Sequence, residues 1–232
     1  MRHFLLLVVF STIIAACSKE EDLPSILFNP SVTYGSMTDQ NGNKYKTVII
    51  GNKEWMAENL RTTIYRNGDP IPNVPDSSAW RKLYTGAYCF YNNKREYIEV
   101  YGFLYNHYAV TDKRNLAPEG WHVASYSDWS ALIAGLGGDE SAGNKLKETG
   151  TAHWLYNNNA TNESGFTALP GGYRFLWQII SGRGMEYGSV GSDGNWWASD
   201  GTVWIYSDFA RSYMLDGFEN KDYGLSVRCV KD

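Results

Sequence analysis

The sequence predicts an α+β fold: short, mostly antiparallel strands, two main helices and long loops. Three observations carry that expectation. Asn41-Gly42 lies between two alternating segments, the strongest short-range hairpin signal, because both turn positions tolerate φ > 0. Trp129, Leu132, Ile133 and Leu136 fall on one face of a helix. From Trp154 onward, short apolar or aromatic runs are punctuated by glycine and asparagine, with no regular alternation of strand and helix and no internal repeat. Composition agrees, since aromatics are 15% of the chain and glycine fills 23 of its 232 positions, which suits rings packed against tight turns better than a helical bundle.

In chain order, Met1-Arg2-His3 is a positive start and Phe4 to Ala16 a thirteen-residue apolar run. As a helix that run rises about 20 Å, short of a hydrocarbon core of about 30 Å, so it reads as a signal peptide and not as a membrane span. Ile14-Ala15-Ala16-Cys17 resembles a bacterial lipobox, which makes Cys17 the expected lipidated N-terminus and the membrane its partner through that lipid. Ser18-Lys19-Glu20-Glu21-Asp22 resembles the export signal of Bacteroidetes-type lipoproteins displayed on the outer face of the outer membrane. The alternative is a solvated spacer. The expected organisation is a signal peptide over 1–16, lipidated Cys17 and a tether over 17–32, and one domain over 33–232.

A net charge of −4 with no basic excess argues against a nucleic-acid partner, and 43% hydrophobic residues exclude wholesale disorder. Within the domain, Thr33 to Thr38 and Lys44 to Ile50 form the expected first hairpin. Asp39, Asn41 and Asn43 mimic a calcium loop but lack the glutamate at its twelfth position. Proline at 70, 72 and 75 makes Arg66 to Ser78 a long surface loop. Trp80 to Tyr91 reads as a short helix or strand leading to Cys89, and Leu104 to Val110 as a brief helix. Ser125 with Asp128 forms a capping box for the helix that Gly137-Gly138 ends, and a second short helix covers Ala142 to Thr149. Gly165 to Leu169, Trp196 to Ser199, Thr202 to Tyr206 and Leu225 to Val230 are short β runs.

With Cys17 given to lipid, Cys89 and Cys229 can close one disulfide across 140 positions, or stay a buried free pair. Such a loop is worth on the order of 4 to 5 kcal/mol by chain entropy. No CxxC or Cys/His cluster supports a structural zinc.

Several motifs recur in one order in a known family: Trp55-Met56-Ala57-Glu58-Asn59-Leu60, Tyr101-Gly102-Phe103-Leu104-Tyr105-Asn106, Pro118-Glu119-Gly120-Trp121-His122-Val123, Ser164-Gly165-Phe166-Thr167-Ala168-Leu169-Pro170-Gly171-Gly172 and Gly224-Leu225-Ser226-Val227-Arg228-Cys229-Val230. With Asp39 to Tyr45 they resemble the Fibrobacter succinogenes major paralogous domain family over about residues 37 to 232. The resemblance implies a fold similar to C-type lectins and to formylglycine-generating enzymes, on an exported or lipid-anchored protein. The family's activity is poorly defined. The chain departs from it at His107, where Trp is frequent, at Ala124, where Pro commonly precedes the serine, and at Ala117, where many members have Cys.

Chemistry is sparse. A formylglycine-generating type of oxidase needs a pair of active cysteines for copper, and Cys229 lies in a motif typical of a terminal core strand. His107, His122 and His153 show no metal spacing, His122 is expected to bond a loop carbonyl, and Ser125 has no neighbouring base. Calcium ligand sets of the lectin type are absent from the motifs, so no cofactor is called for. The expectation is a non-catalytic module that binds a glycan or protein through Tyr173, Arg174, Tyr187, Asn195, Trp196, Trp197 and Trp204, because tryptophan and tyrosine faces suit sugar rings and protein hot spots. If Trp196 and Trp197 alternate across a core strand, at least one is buried. A passive envelope component and a metal oxidoreductase are the alternatives.

Overall fold

The computed structural model describes residues 23–156, 159–175, 186–206, 212–216 and 221–232. The leader, Cys17 and the acidic cluster lie outside them. Among the described residues, no helix is long and apolar enough to cross a membrane.

Both strands and helices are present, and most strand pairings are antiparallel, as expected. The first hairpin joins β1 (Gly35–Thr38) to β2 (Lys44–Ile50). Its turn is held by Asp39, whose Oδ1 accepts from the amides of Asn41 (2.8 Å) and Asn43 (2.9 Å) and whose Oδ2 accepts from Tyr45 Oη (2.6 Å). The carboxylate is thus spent on the turn. β2 continues into β3 (Lys53–Met56), and the C-terminal strand β13 (Cys229–Lys231) inserts between β3 and β6 (Trp121–Val123), completing the order β1-β2-β3-β13-β6. The end of the chain therefore sits inside the first sheet.

Short helices α1 (Ser77–Trp80), α2 (Ile98–Tyr101) and α3 (His107–Val110) alternate with a small hairpin of β4 (Tyr88–Cys89) and β5 (Leu104–Tyr105). The predicted loop 66–78 is not wholly superficial. Ile71 is buried, and residues 70 and 73 form isolated bridges with Ile64 and Tyr88: Pro72 offers its carbonyl to the Tyr88 amide, and the bonds of the bridge at Pro70 are made by its neighbours Asp69 and Ile71.

The best helix signal becomes α4 (Tyr126–Gly135), with the reciprocal cap in place: Ser125 Oγ accepts from the Asp128 amide and Asp128 accepts from the Ser125 amide. Trp129, Leu132 and Ile133 are buried and Leu136 is half-buried. The second helix, α5 (Asp139–Leu146), starts and ends three residues earlier than predicted. Two acidic residues open its first turn, where they complement the helix dipole, and Lys147 has extended backbone that ends it.

The second sheet runs β11 (Ser212–Asp216), β10 (Gly201–Tyr206), β9 (Asp193–Ala198), β7 (Gly171–Arg174), β8 (Tyr187–Val190), with β12 (Ser226–Val227) also on β9. Gly165 to Leu169, predicted as a strand, is a loop whose residue 168 makes only an isolated bridge with Lys147. In that loop Gly165 and Thr167 have positive φ, which a strand cannot accommodate. On β9, Gly194 is obligatory: a Cβ there would lie 2.2 Å from the Trp196 ring and 2.8 Å from the Leu169 carbonyl.

Trp196 and Trp197 point to opposite faces of β9 and both are fully buried. Trp196 joins Trp55, Trp129 and Phe166, with neighbouring centroids 5.1 to 6.3 Å apart. Trp197 enters the other core, with Tyr105, Leu225 and Val227, and donates to the Tyr105 carbonyl at 2.7 Å.

The cores meet at Arg228. Its side chain is fully buried and donates to Asn59 Oδ1 (2.7 Å) and to the carbonyls of Met56 (2.8 Å), Phe166 (2.9 Å) and Thr167 (3.1 Å), with its guanidinium 4.4 Å from the Phe166 ring centre. Burial pulls its pKa down to about 9. Asn59 in turn accepts from Trp196 Nε1 (2.9 Å) and donates to the Tyr101 carbonyl (2.9 Å) and Ser226 Oγ (3.3 Å).

The sequence left a Cys89 to Cys229 disulfide open, and the structure resolves it the other way. Both thiols are free and buried, Cys89 beside Trp80 and Leu104, Cys229 in the separate cluster around Tyr105. Burial raises both pKa values, that of Cys89 to about 11.

Arg228→Met removes four hydrogen bonds to buried acceptors and is expected to lower the unfolding free energy by roughly 3 to 5 kcal/mol, read from urea denaturation at constant m-value. A Cys17→Ala protein should show no reactive thiol when native and two once unfolded, with no mobility change on reduction; an unfolded protein lacking free thiols would restore the disulfide.

Candidate ligand-binding surface

The seven residues proposed from the sequence do not form one surface. Arg174, Asn195, Trp196 and Trp197 are fully buried, which removes them as direct contacts. Arg174 is structural: it donates to the carbonyls of Val74 (2.7 Å) and Pro75 (2.9 Å), pairs with Glu186 and lies 4.5 Å from the Trp80 ring centre, tying the proline-rich loop to β7. Tyr187 is half-buried but faces elsewhere, packed on Tyr91 at 5.3 Å and donating to Asn93 Oδ1. Desolvation raises its pKa.

Tyr173 and Trp204 remain, and the structure brings them together. Their rings stack at 6.0 Å with 30° between planes, from strands that flank Asn195: Trp204 is its direct partner across β9 and β10, and Tyr173 follows the Gly172 to Gly194 register of β7 and β9. Both are half-buried. Phe175 continues the row, 6.3 Å from Tyr173 and 4.4 Å edge-to-face from Tyr223. The backbone bonds between Arg174 and Gly224 place Phe175 opposite Tyr223. Two residues before Tyr223, exposed Lys221 puts its ammonium 5.9 Å from the Tyr108 ring centre, and Tyr108 meets Tyr84, which is 83% exposed. A row of four rings thus runs from Trp204 through Tyr173 and Phe175 to Tyr223, and Tyr108 with Tyr84 forms a separate pair that Lys221 touches.

Beneath the row lies a polar floor. Asn195 Oδ1 and Thr202 Oγ1 are buried without a hydrogen-bond partner. Cross-strand register sets both on the face that carries Trp197 and Trp204. His107 covers the same face with its ring 4.8 Å from that of Trp197, and desolvation, then Lys221, lower its pKa, so it is neutral at pH 7. A neutral polar ring thus lies against Trp197.

Sequence reasoning missed Tyr84, Tyr108, Phe175, Lys221 and Tyr223. The alternation of Tyr173 and Phe175 across Arg174 was a readable signal for one of them. The others lie on segments that only tertiary pairing brings alongside.

His122, Ser125 and Asp128 come together at the start of α4. His122 does not bond a loop carbonyl; Nδ1 lies 2.7 Å from Asp232 Oδ1 and Nε2 3.0 Å from Asp128 Oδ2, because β6 and β13 pair and α4 starts directly after β6. Ser125 Oγ donates to the same Asp128 oxygen at 2.6 Å, and Lys53 Nζ is 2.6 Å from the other. Burial acts to raise the Asp128 pKa, but these bonds outweigh it and hold the carboxyl well below the usual range. Serine and imidazole converge on one carboxylate instead of on each other, so the hydroxyl is not activated. Among the described residues, no group of three His, Cys, Asp or Glu side chains is placed to hold a metal ion.

No curated protein and no solved structure matches this chain. The Fibrobacter succinogenes major domain matches residues 48–231, nearly the whole described fold from β2 to β13, and the chain belongs to that family.

Proposed function

We propose that this protein is a non-catalytic binding module with a C-type-lectin-like fold, lipid-anchored through Cys17 and displayed on the outer membrane. It takes a glycan or protein ligand on the aromatic row from Trp204 to Tyr223. The observation that carries the reading is the stacked pair of half-buried rings, Tyr173 and Trp204, on the two strands that flank β9. Ring faces of this kind cover the apolar faces of sugars. The lipobox at Ile14 to Cys17 and the acidic residues after it support the anchor and the display.

A glycan and mucin array should return hits, and Trp204→Ala or Tyr173→Ala should weaken them about tenfold or more while the thermal midpoint moves little. An array blank at millimolar concentrations removes the glycan, and undiminished binding by both variants removes this surface. For location, labelled palmitate should enter the wild type and not Cys17→Ala, and protease treatment of intact cells should release the domain. Palmitate incorporation independent of Cys17, or a domain fully resistant to shaving, overturns the anchor or the display.

A further inference from the structure

We propose that His153 and Glu148 form a protonation-dependent clasp on the N-terminal strap, residues 23–28, which joins the domain to whatever precedes it. Both side chains are fully buried, with His153 Nδ1 2.6 Å from Glu148 Oε2. The clasp grips backbone. His153 Nε2 is 2.9 Å from the Pro24 carbonyl, and the Leu27 amide donates to Glu148 Oε1 at 2.6 Å. Two side chains from the segment after α5 therefore hold the strap at two points three residues apart.

The geometry fixes the charge state that closes it. Each ring nitrogen faces an acceptor, a carboxylate on one side and a carbonyl on the other. A neutral imidazole carries one N–H and can satisfy only one of them; the imidazolium satisfies both. Other ring and charged side chains surround the pair. Tyr101 presents its ring edge-to-face at 5.9 Å, with Tyr97 stacked behind it. Buried Lys147 holds its ammonium over Trp154, 5.5 Å from the ring centre. Arg95, Glu96 and Glu99 line the groove of about 540 Å³ beside the strap. Burial alone would lower the His153 pKa, but the Glu148 hydrogen bond and charge, with the Pro24 carbonyl, outweigh it and raise it. The clasp is thus complete below the ordinary histidine range and is lost as pH rises through the raised folded value.

Opening changes two things. Leu23 and Ile26 leave the apolar patch of Val100, Tyr101 and Leu169, which becomes exposed. Six released residues, fully extended, add about 20 Å to the reach between the domain and its anchor point. The clasp is independent of the ligand surface, since none of its groups belongs to the aromatic row.

Pulse-labelling hydrogen exchange, corrected for intrinsic rates, tests it. In the wild type, protection of the Leu27 amide should fall at least tenfold between pH 6.5 and pH 9, while Trp196 in the central strand stays protected. His153→Gln should show low strap protection at both pH values and no step. Because that variant removes a buried group, nitrogen-15 shifts of His153 in the wild type provide a second reading: both ring nitrogens protonated at pH 6.5, losing a proton at the pH where the strap loosens. Constant Leu27 protection across the range, wild-type protection in His153→Gln, or ring titration without strap loosening would each overturn the proposal.

Discussion

The structure turns on a buried cation, Arg228, whose hydrogen bonds go to neutral acceptors. Arg228 carries its guanidinium into the interior and surrounds it with neutral acceptors from the Met56 to Asn59 segment and the Phe166 to Thr167 loop. A planar fork with five donors bonds several chain segments at once over a wider span than the three donors of a lysine ammonium. Asn59 extends the reach to α2, β9 and β12 through Tyr101, Trp196 and Ser226. Separating these segments would leave buried acceptors empty, so the two sheets and the loops between them are coupled more strongly than apolar contact alone requires.

The same hub explains the family motifs. Trp55 to Leu60, Tyr101 to Asn106, Ser164 to Gly172 and Gly224 to Val230 are far apart in the chain, yet each contributes a bond or a wall to the Arg228 and Asn59 junction. Membership therefore marks a way of closing the fold. It carries little information about ligand, because the shared residues point inward and the surface above β9 and β10 is built largely from others.

That division also governs the aromatic residues. Trp55, Trp129, Phe166 and Trp196 fill one core, and Trp197 with Tyr105 fills the other, so the aromatic-rich composition mostly describes an interior. The remaining row is small and lies on strands whose inner faces are locked by tryptophan, a rigid base of the kind a binding site needs. Ser125, His122 and Asp128 show the converse. Residues of catalytic type sit close together because a helix cap and a paired strand end share one place.

Local elements were legible where a short stretch of chain decides them. The Asn-Gly hairpin depends on five residues, and α4 on a cap, a stripe and a glycine stop. Strands were harder: Gly165 to Leu169 has strand composition, but positive φ at Gly165 and Thr167 and the pull of Arg228 on its carbonyls make it a loop. Asn195 read as turn punctuation and is a central strand residue, because burial against Trp197 and Trp204 overrides its local preference. By itself the sequence determined the fold class, the hairpin, the capped helix and the family, all properties of local pattern or of motif order. Only the tertiary structure decided that the two cysteines stay apart, that four of seven proposed contact residues are interior, and that Phe175 and Tyr223 join Tyr173 and Trp204. Those outcomes depend on which distant segments pack together, and long-range pairing leaves no local trace in the chain.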